Sequence, residues 1–203
     1  REAREQDLHV RIRGIAVHVV TPTAHGDAGC DRHGQLCLHR INVASHCGDS
    51  FYDYVRHVNA VLSEAARRVT AEEGPFDLIH THDWLTCEAA IELKHATKHP
   101  LVGTIHATER GRGRGQLYGQ QAERINTTEW QLSYESWRVI CCANYMAGEI
   151  HNYFGTPADK LDVIPNGVDP TPFQALEGQD LSEVRQRYAD PHDRIIFFVG
   201  RLV

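Results

Sequence analysis

Apolar positions along the chain follow two rhythms. Short runs rich in Val and Ile (Ile15–Val20, Leu38–Val43, Asp77–Thr81, Leu101–His106, Val139–Cys142, Leu161–Ile164 and Ile195–Val199) read as strands buried on both faces. Longer stretches between them carry a helical period. In Tyr52–Thr70 the residues Val55, Val58, Leu62, Ala65 and Val69 form one stripe, and Leu85–Ala96, Leu117–Glu135 and Tyr145–Phe154 behave alike. Strand alternating with helix predicts an α/β fold, a doubly wound parallel sheet wrapped by helices.

The turn residues agree. Gly74-Pro75 closes the long helix before FDLIHT, Gly155 and Pro157 close the helix ending at Phe154, and Pro165-Asn166-Gly167 follows LDVI as a turn. Ala24–Gln35 has little apolar content and is expected to be a loop. The opening REAREQ resembles the tail of a helix that feeds directly into a strand, and RIIFFVGRLV reads as a strand with no partner following it. The expectation is therefore a fragment of a longer chain whose sheet lacks its first strand.

Composition narrows the class. The 203 residues hold 21 Lys+Arg against 27 Asp+Glu, a net charge of −6, which argues against a basic nucleic-acid platform. A chain of this length hides roughly 70% of its unfolded surface, enough for one sizeable core. No apolar run approaches the roughly 20 residues needed to span a bilayer, and the charged opening is unlike a signal peptide, so a cytoplasmic location is expected. The six cysteines form no dense framework, and Cys141 and Cys142 are adjacent, so all are expected to be reduced thiols.

Ligands in open parallel sheets gather beyond the carboxyl ends of the strands. FDLIHT is followed there by His82-Asp83-Trp84, LVGTI by His106-Ala107-Thr108-Glu109, VICC by Ala143-Asn144, DVIP by Asn166-Gly167, and IIFFVG by Arg201. Asp83 and Asn144 are also plain helix N-cap candidates. Five strands that all end in polar groups point instead to a ligand crevice, with His82 and Glu109 on its rim. His80 and His82, two apart on a strand, together with His106 and Asp83, form a possible metal set; a metal-dependent hydrolase is the competing enzyme class. No further His or Asp at later strand ends completes a coordination sphere.

Cys30, His33, Cys37 and His39, with His46-Cys47, lack paired CxxC spacing and read as loop and strand composition. Arg110, Arg112 and Arg114, interleaved with glycines, offer guanidinium forks for a small anion or for solvent. They do not satisfy GxGxxG, so the dinucleotide fingerprint is absent. Asn126-Thr127-Thr128 matches a glycosylation acceptor on an amphipathic segment and is read as noise.

Five blocks in order (FDLIHTHDWLT, GTIHATERGRG, TTEWQLSYESWRVICCANYM, KLDVIPNGVD and FFVGRLV) resemble bacterial glycogen synthase-like members of glycosyltransferase family 4. The resemblance implies the GT-B architecture, two Rossmann-like domains facing across a cleft. It implies an acceptor-side domain over residues 1–169 lacking its first strand, a linker over 170–193, and over 194–203 the first strand of a donor domain missing from this chain. His106 then matches the family histidine that positions the donor sugar, Asp83 the aspartate at the cleft, Asn166 the asparagine of the NGVD block, and Arg201 the arginine that grips the donor diphosphate. Gly200 would let backbone amides approach the phosphates.

By this resemblance the whole protein is a retaining transferase moving a sugar, glucose foremost, from a nucleotide diphosphate to an acceptor such as an α-glucan. It would need no cofactor and no metal, because cationic side chains neutralise the leaving group. The implied partners are a nucleotide sugar and a carbohydrate, and this fragment alone would be inactive. The other class to weigh is a sugar-binding or interaction module that keeps the fold without the chemistry.

Overall fold

The computed structural model describes residues 14–23, 27–44, 50–174 and 178–199. The chain divides into two compact units, Arg1–Pro165 and Asn166–Val203.

The first unit opens with a three-stranded sheet. Strand β1 (Val17–Pro22) pairs in parallel with β3 (Leu36–Ile41), and β2 (Gly29–His33) folds back antiparallel on β3, giving the order β1-β3-β2. The expected loop over 24–35 is thus largely one arm of a hairpin. Its low apolar content reflects an edge strand exposed at four of five positions, and Gly34, at φ +61°, supplies the left-handed turn.

The hairpin also corrects the thiol expectation. Cys30 and Cys37 lie diagonally across it on one face, with Cα atoms 6.5 Å apart, and are joined as a disulfide. Spacing along the chain gave no sign of this pairing, because antiparallel register creates the proximity. Cys87 and Cys141 are buried free thiols.

Helix α1 (Phe51–Glu73) starts where Ser50 Oγ accepts from the Asp53 amide at 3.2 Å. Its buried stripe contains Val55, Val58, Leu62, Ala65 and Val69, as the periodicity predicts. Asn59 interrupts that stripe with both its amide hydrogens used: Nδ2 donates to Val55 O and Leu85 O, each at 2.8 Å, and Oδ1 accepts from Ala89 N at 3.0 Å.

A second sheet follows, built from β4 (Ile79–His82), β5 (Leu101–Ile105), β6 (Arg138–Cys141) and β7 (Leu161–Val163), all parallel and in sequence order. The helices between them are α2 (Cys87–Thr97), α3 (Glu109–Arg112), α4 (Gly119–Glu135) and α5 (Asn144–Phe154). Among the described residues the expected single sheet is therefore two separate ladders. The core of the parallel sheet holds Leu101, Ile105, Leu132, Val139, Cys141 and Ile150, all nearly inaccessible. Each large apolar side chain buried there contributes about 1.5–3 kcal/mol.

Gly103 on β5 marks the closest approach of helix to sheet. A Cβ there would stand 2.6 Å from Ser136 Oγ and 2.9 Å from Leu132 Cδ1, so α4 reaches the sheet because this strand residue has no side chain. A short 3-10 turn, Trp84–Thr86, joins β4 to α2; the Trp84 ring is buried and stacks on Tyr52 at 5.7 Å between centroids.

The second unit holds two short helices, α6 (Thr171–Gln174) and α7 (Ser182–Gln186). Ile195–Val199, expected as a strand, has no ladder and lies exposed. Its apolar run signals burial, but nothing among the described residues pairs with it.

Candidate functional site

Strand parity brings the polar residues together. His82 stands opposite Thr104, and Thr104 opposite Ile140, in the parallel ladder. Side chains two apart share a face, so His80, His82, Thr104, His106 and Cys142 all project from one face at the carboxyl end of the sheet. Thr81, Gly103, Ile105 and Cys141 occupy the opposite, buried face.

The contacts follow that placement. His82 Nδ1 and His106 Nε2 are 3.0 Å apart, with their rings stacked 5.3 Å between centroids and 9° from parallel. His106 Nδ1 lies 3.7 Å from Cys142 Sγ. His80 Nε2 is 2.8 Å from Thr104 Oγ1, and its ring lies 4.5 Å from that of His82. Loss of hydration among the neighbouring rings lowers the pKa of both His80 and His82, and repulsion between the imidazoles adds to it; Asp83 partly opposes the shift at His82. Their rings are therefore neutral near pH 7, able to donate and accept hydrogen bonds.

Asp83 holds these two strand ends in relation. Its carboxylate Oδ1 accepts from the His106 amide at 2.8 Å, and its own amide donates to Thr104 O at 2.8 Å. The residue sits at φ 56°, ψ −177°, a region that glycine populates almost alone and that costs other residues about 1–3 kcal/mol. Such backbone persists only where surrounding contacts impose it. The N-cap alternative fails for both candidates: the Asp83 side chain caps no helix, and Asn144 is the first residue of α5, whose cap position is Ala143.

Glu109 begins α3, three residues beyond His106. Its amide donates to both carboxylate oxygens of Glu129 at 2.9 Å, while Thr108 Oγ1 caps the turn by accepting from Gly111 N at 2.9 Å. Glu129 is 1% exposed. Burial pushes its pKa up to about 8 against the opposing pull of the Glu109 amide and Arg112. Arg112 Nη1 is 3.2 Å from Glu109 Oε2 and 3.8 Å from Glu129 Oε1. Arg110 Nε reaches Asn126 Oδ1 at 3.3 Å, and its guanidinium lies 5.5 Å from the centre of the Tyr153 ring. The arginine-glycine segment thus folds back on α4 and α5 through two of its three guanidinium groups.

The structure brings His82, Asp83, His106 and the start of α3 at Glu109 to one rim. Asn166 belongs to the second unit, and Gly200 and Arg201 lie outside the described residues. The metal set is not assembled: the one group of three or more ligand atoms mutually within 4.8 Å, among the described residues, is not His80, His82 and His106. Two participants were missed. Cys142 was legible as the residue continuing the Ile140 face of β6, and Glu129 as the lone acid in the apolar stripe Ala122, Ile125, Leu132 of α4.

A parallel α/β sheet with its polar groups gathered at the carboxyl rim is the Rossmann-like arrangement of the N-terminal half of a GT-B glycosyltransferase. The solved sucrose-phosphate synthase of Thermosynechococcus elongatus superposes on 78% of this chain and 40% of its own with a TM-score of 0.62 at 18% identity, a likeness of fold. The sequence model for Glycosyltransferase Family 4 matches residues 8–171, and the chain belongs to that family. It is 38% identical over 129 residues to an uncharacterized glycosyltransferase of Methanocaldococcus jannaschii, covering 63% of this chain and 33% of that protein. It is 40% identical over 101 residues to a glycogen synthase of Mycobacterium tuberculosis, covering 49% and 24%. To a D-inositol 3-phosphate glycosyltransferase of Segniliparus rotundus it is 25% identical over 195 residues, covering 94% and 43%. The chain thus spans less than half the length of each of these relatives. No helix among the described residues is long and apolar enough to cross a membrane.

Proposed function

We propose that this chain is the acceptor-side domain of a retaining glycosyltransferase that moves a hexosyl group, glucose foremost, from a nucleotide-diphosphate sugar to an acceptor hydroxyl, with an α-glucan as the acceptor class. The supporting observation is the pairing of His106 with His82 and Asp83 at the carboxyl ends of β4 and β5. Family membership and the glycogen synthase likeness support this choice of substrate class.

In this reading the His106 imidazole contacts the transferred sugar and holds its hydroxyls by hydrogen bonds. Asp83 is a positioning residue, acting through the backbone of His106. His82 orients the His106 ring, and the Glu109 turn, pinned by Glu129, shapes the acceptor wall. Asn166 is assigned to hold substrate. Cleavage of the sugar–diphosphate bond leaves negative charge on the departing phosphate, and Arg201 is assigned to stabilise it, with Gly200 admitting the phosphates to the backbone. No metal or cofactor is required by this scheme. The donor pocket is completed by a second domain, and the site acts in the cytoplasm.

Calorimetric titration of this chain tests the reading. Maltooligosaccharides are expected to bind while nucleotide sugars do not, since the donor side is assigned to another domain. Donor binding without acceptor binding would overturn the assignment of this domain. The inositol phosphate likeness runs across nearly the whole chain, so inositol 3-phosphate is the third titrant; binding of it in place of maltooligosaccharides would transfer the acceptor class to a phosphorylated polyol.

A further inference from the structure

The three-stranded sheet carries a second cluster, on the face turned toward α1 and apart from the carboxyl rim of β4–β7. His18 on β1 stands opposite Cys37 on β3, Cys30 on β2 stands opposite His39, and Cys37 and His39 are two apart on one strand. Parity therefore puts all four side chains on one face. Ligand atoms of His18, Cys37 and His39 all lie within 4.8 Å of one another, and Cys30 Sγ is bonded to Cys37 Sγ. His18 Nδ1 and His39 Nε2 are 3.0 Å apart. Two nitrogens bound to a tetrahedral zinc ion at about 2.0 Å stand roughly 3.3 Å from each other, so the imidazoles already have nearly the separation that an ion demands.

We propose that reduction of the Cys30–Cys37 disulfide converts this face into a tetrahedral site for a zinc-like divalent cation, held by His18, His39, Cys37 and Cys30. Two imidazoles and two thiolates form a zinc ligand set, and two thiolates balance the ion's charge, so the loaded site is neutral. The chemistry balances with a dithiol as reductant. Its thiolate attacks Cys30 Sγ and displaces Cys37 as thiolate; its second thiol resolves the mixed disulfide, releasing Cys30 and leaving the reductant as the oxidised disulfide. Cation binding then releases to solvent whatever thiol protons remain.

Access favours this order of events. Cys30 is exposed whereas Cys37 is fully buried, so the sulfur open to attack is the one on the edge strand. An open groove of about 320 Å³, lined by His39, Gly29, Arg68 and Glu72 among others, reaches the cluster at His39. With the disulfide intact, both sulfurs are spent on each other and only the imidazole pair remains. The site is thus available under reducing conditions and closed under oxidising ones.

Cobalt titration of the whole chain is the test. Protein reduced with a dithiol and freed of it under argon is expected to bind one Co²⁺, giving the visible bands of tetrahedral cobalt and a thiolate-to-cobalt charge-transfer band. The oxidised chain is expected to give neither. Cys37→Ser and His39→Ala should each abolish the 1:1 endpoint. Absence of stoichiometric binding in the reduced chain, or the same spectrum from the oxidised chain or from both variants, would overturn the proposal. Should the variants fail to fold, alkylation of the reduced wild type decides: Zn²⁺ is expected to protect Cys30 and Cys37, and protection of Cys142 in their place would locate the metal at the other histidine cluster and refute the site.

Discussion

Asp83 accepts the backbone amide of His106 at 2.8 Å while held in a backbone conformation that aspartate rarely adopts. One carboxylate oxygen thereby fixes where the loop after β5 departs, and with it the direction of the His106 ring. A strained residue at the end of one strand sets the geometry at the end of the next.

Replacing that carboxylate separates its parts. Asp83→Ala keeps the backbone strain and loses the acceptor, so it is expected to destabilise the chain by about 1–3 kcal/mol in urea unfolding. Asp83→Asn keeps Oδ1 and carries the same backbone strain as the aspartate it replaces, so it should stay near wild type. Equal losses for both would mean that the charge, and not the hydrogen bond, is what matters.

In the full-length protein, His106→Ala is expected to lower kcat by about 100-fold or more, with a smaller change in the KM for acceptor, because the contact is assigned to the transferred sugar. His82→Ala should fall between that variant and wild type. Steady-state kinetics with a nucleotide sugar and a maltooligosaccharide measure both; an unchanged rate for His106→Ala would remove the residue from the site.

Glu129 makes stability depend on pH in a stated direction. Its pKa rises from an ordinary 4.5 to about 8 on folding, so the folded chain holds the proton more tightly than the unfolded one. The stabilisation tied to that proton is fully present below about pH 4.5 and is lost as pH rises toward 8, by up to about 1.4 kcal/mol per unit. Glu129→Gln stays neutral throughout and retains an acceptor for the Glu109 amide. The difference in Tm between Glu129→Gln and wild type is expected to grow in favour of the variant from pH 5 to pH 8; a constant difference would show that Glu129 does not titrate there.

Gly103→Ala sets a Cβ against Ser136 and Leu132. The overpacking is expected to cost about 1–3 kcal/mol in denaturant unfolding. Addition of Leu132→Val, which gives ground beside the new methyl group, should return part of the loss; no recovery would point to the Ser136 side as the binding constraint.

Hydrophobic periodicity carried the elements far. The stripe of α1, the four parallel strands and the polar rim at their carboxyl ends are all visible in the residue pattern, because helix and strand periods are local. What was not visible depends on register and burial. The hairpin of β2 is polar along its exposed edge and so resembles a loop, and the Cys30–Cys37 bond exists through antiparallel pairing that spacing does not encode. Asp83 reads as a cleft residue, with the helix cap as its alternative, but its bond to the His106 amide is not legible, because capping and cross-strand anchoring use the same residue type. Glu129 was passed over inside an amphipathic helix whose other buried positions are apolar or small. Ile195–Val199 has the composition of a strand, but a ladder needs a neighbour as well as a propensity.

The burial of Trp84 gives the rim a built-in reporter. Of the three tryptophans, Trp130 and Trp137 are 43% and 66% exposed, whereas Trp84 is 5% exposed and covalently next to Asp83. Iodide in solution would quench the first two and leave emission dominated by the third. Fluorescence surviving the quencher then tracks events one residue from the carboxylate, so ligand arrival can be followed without a label.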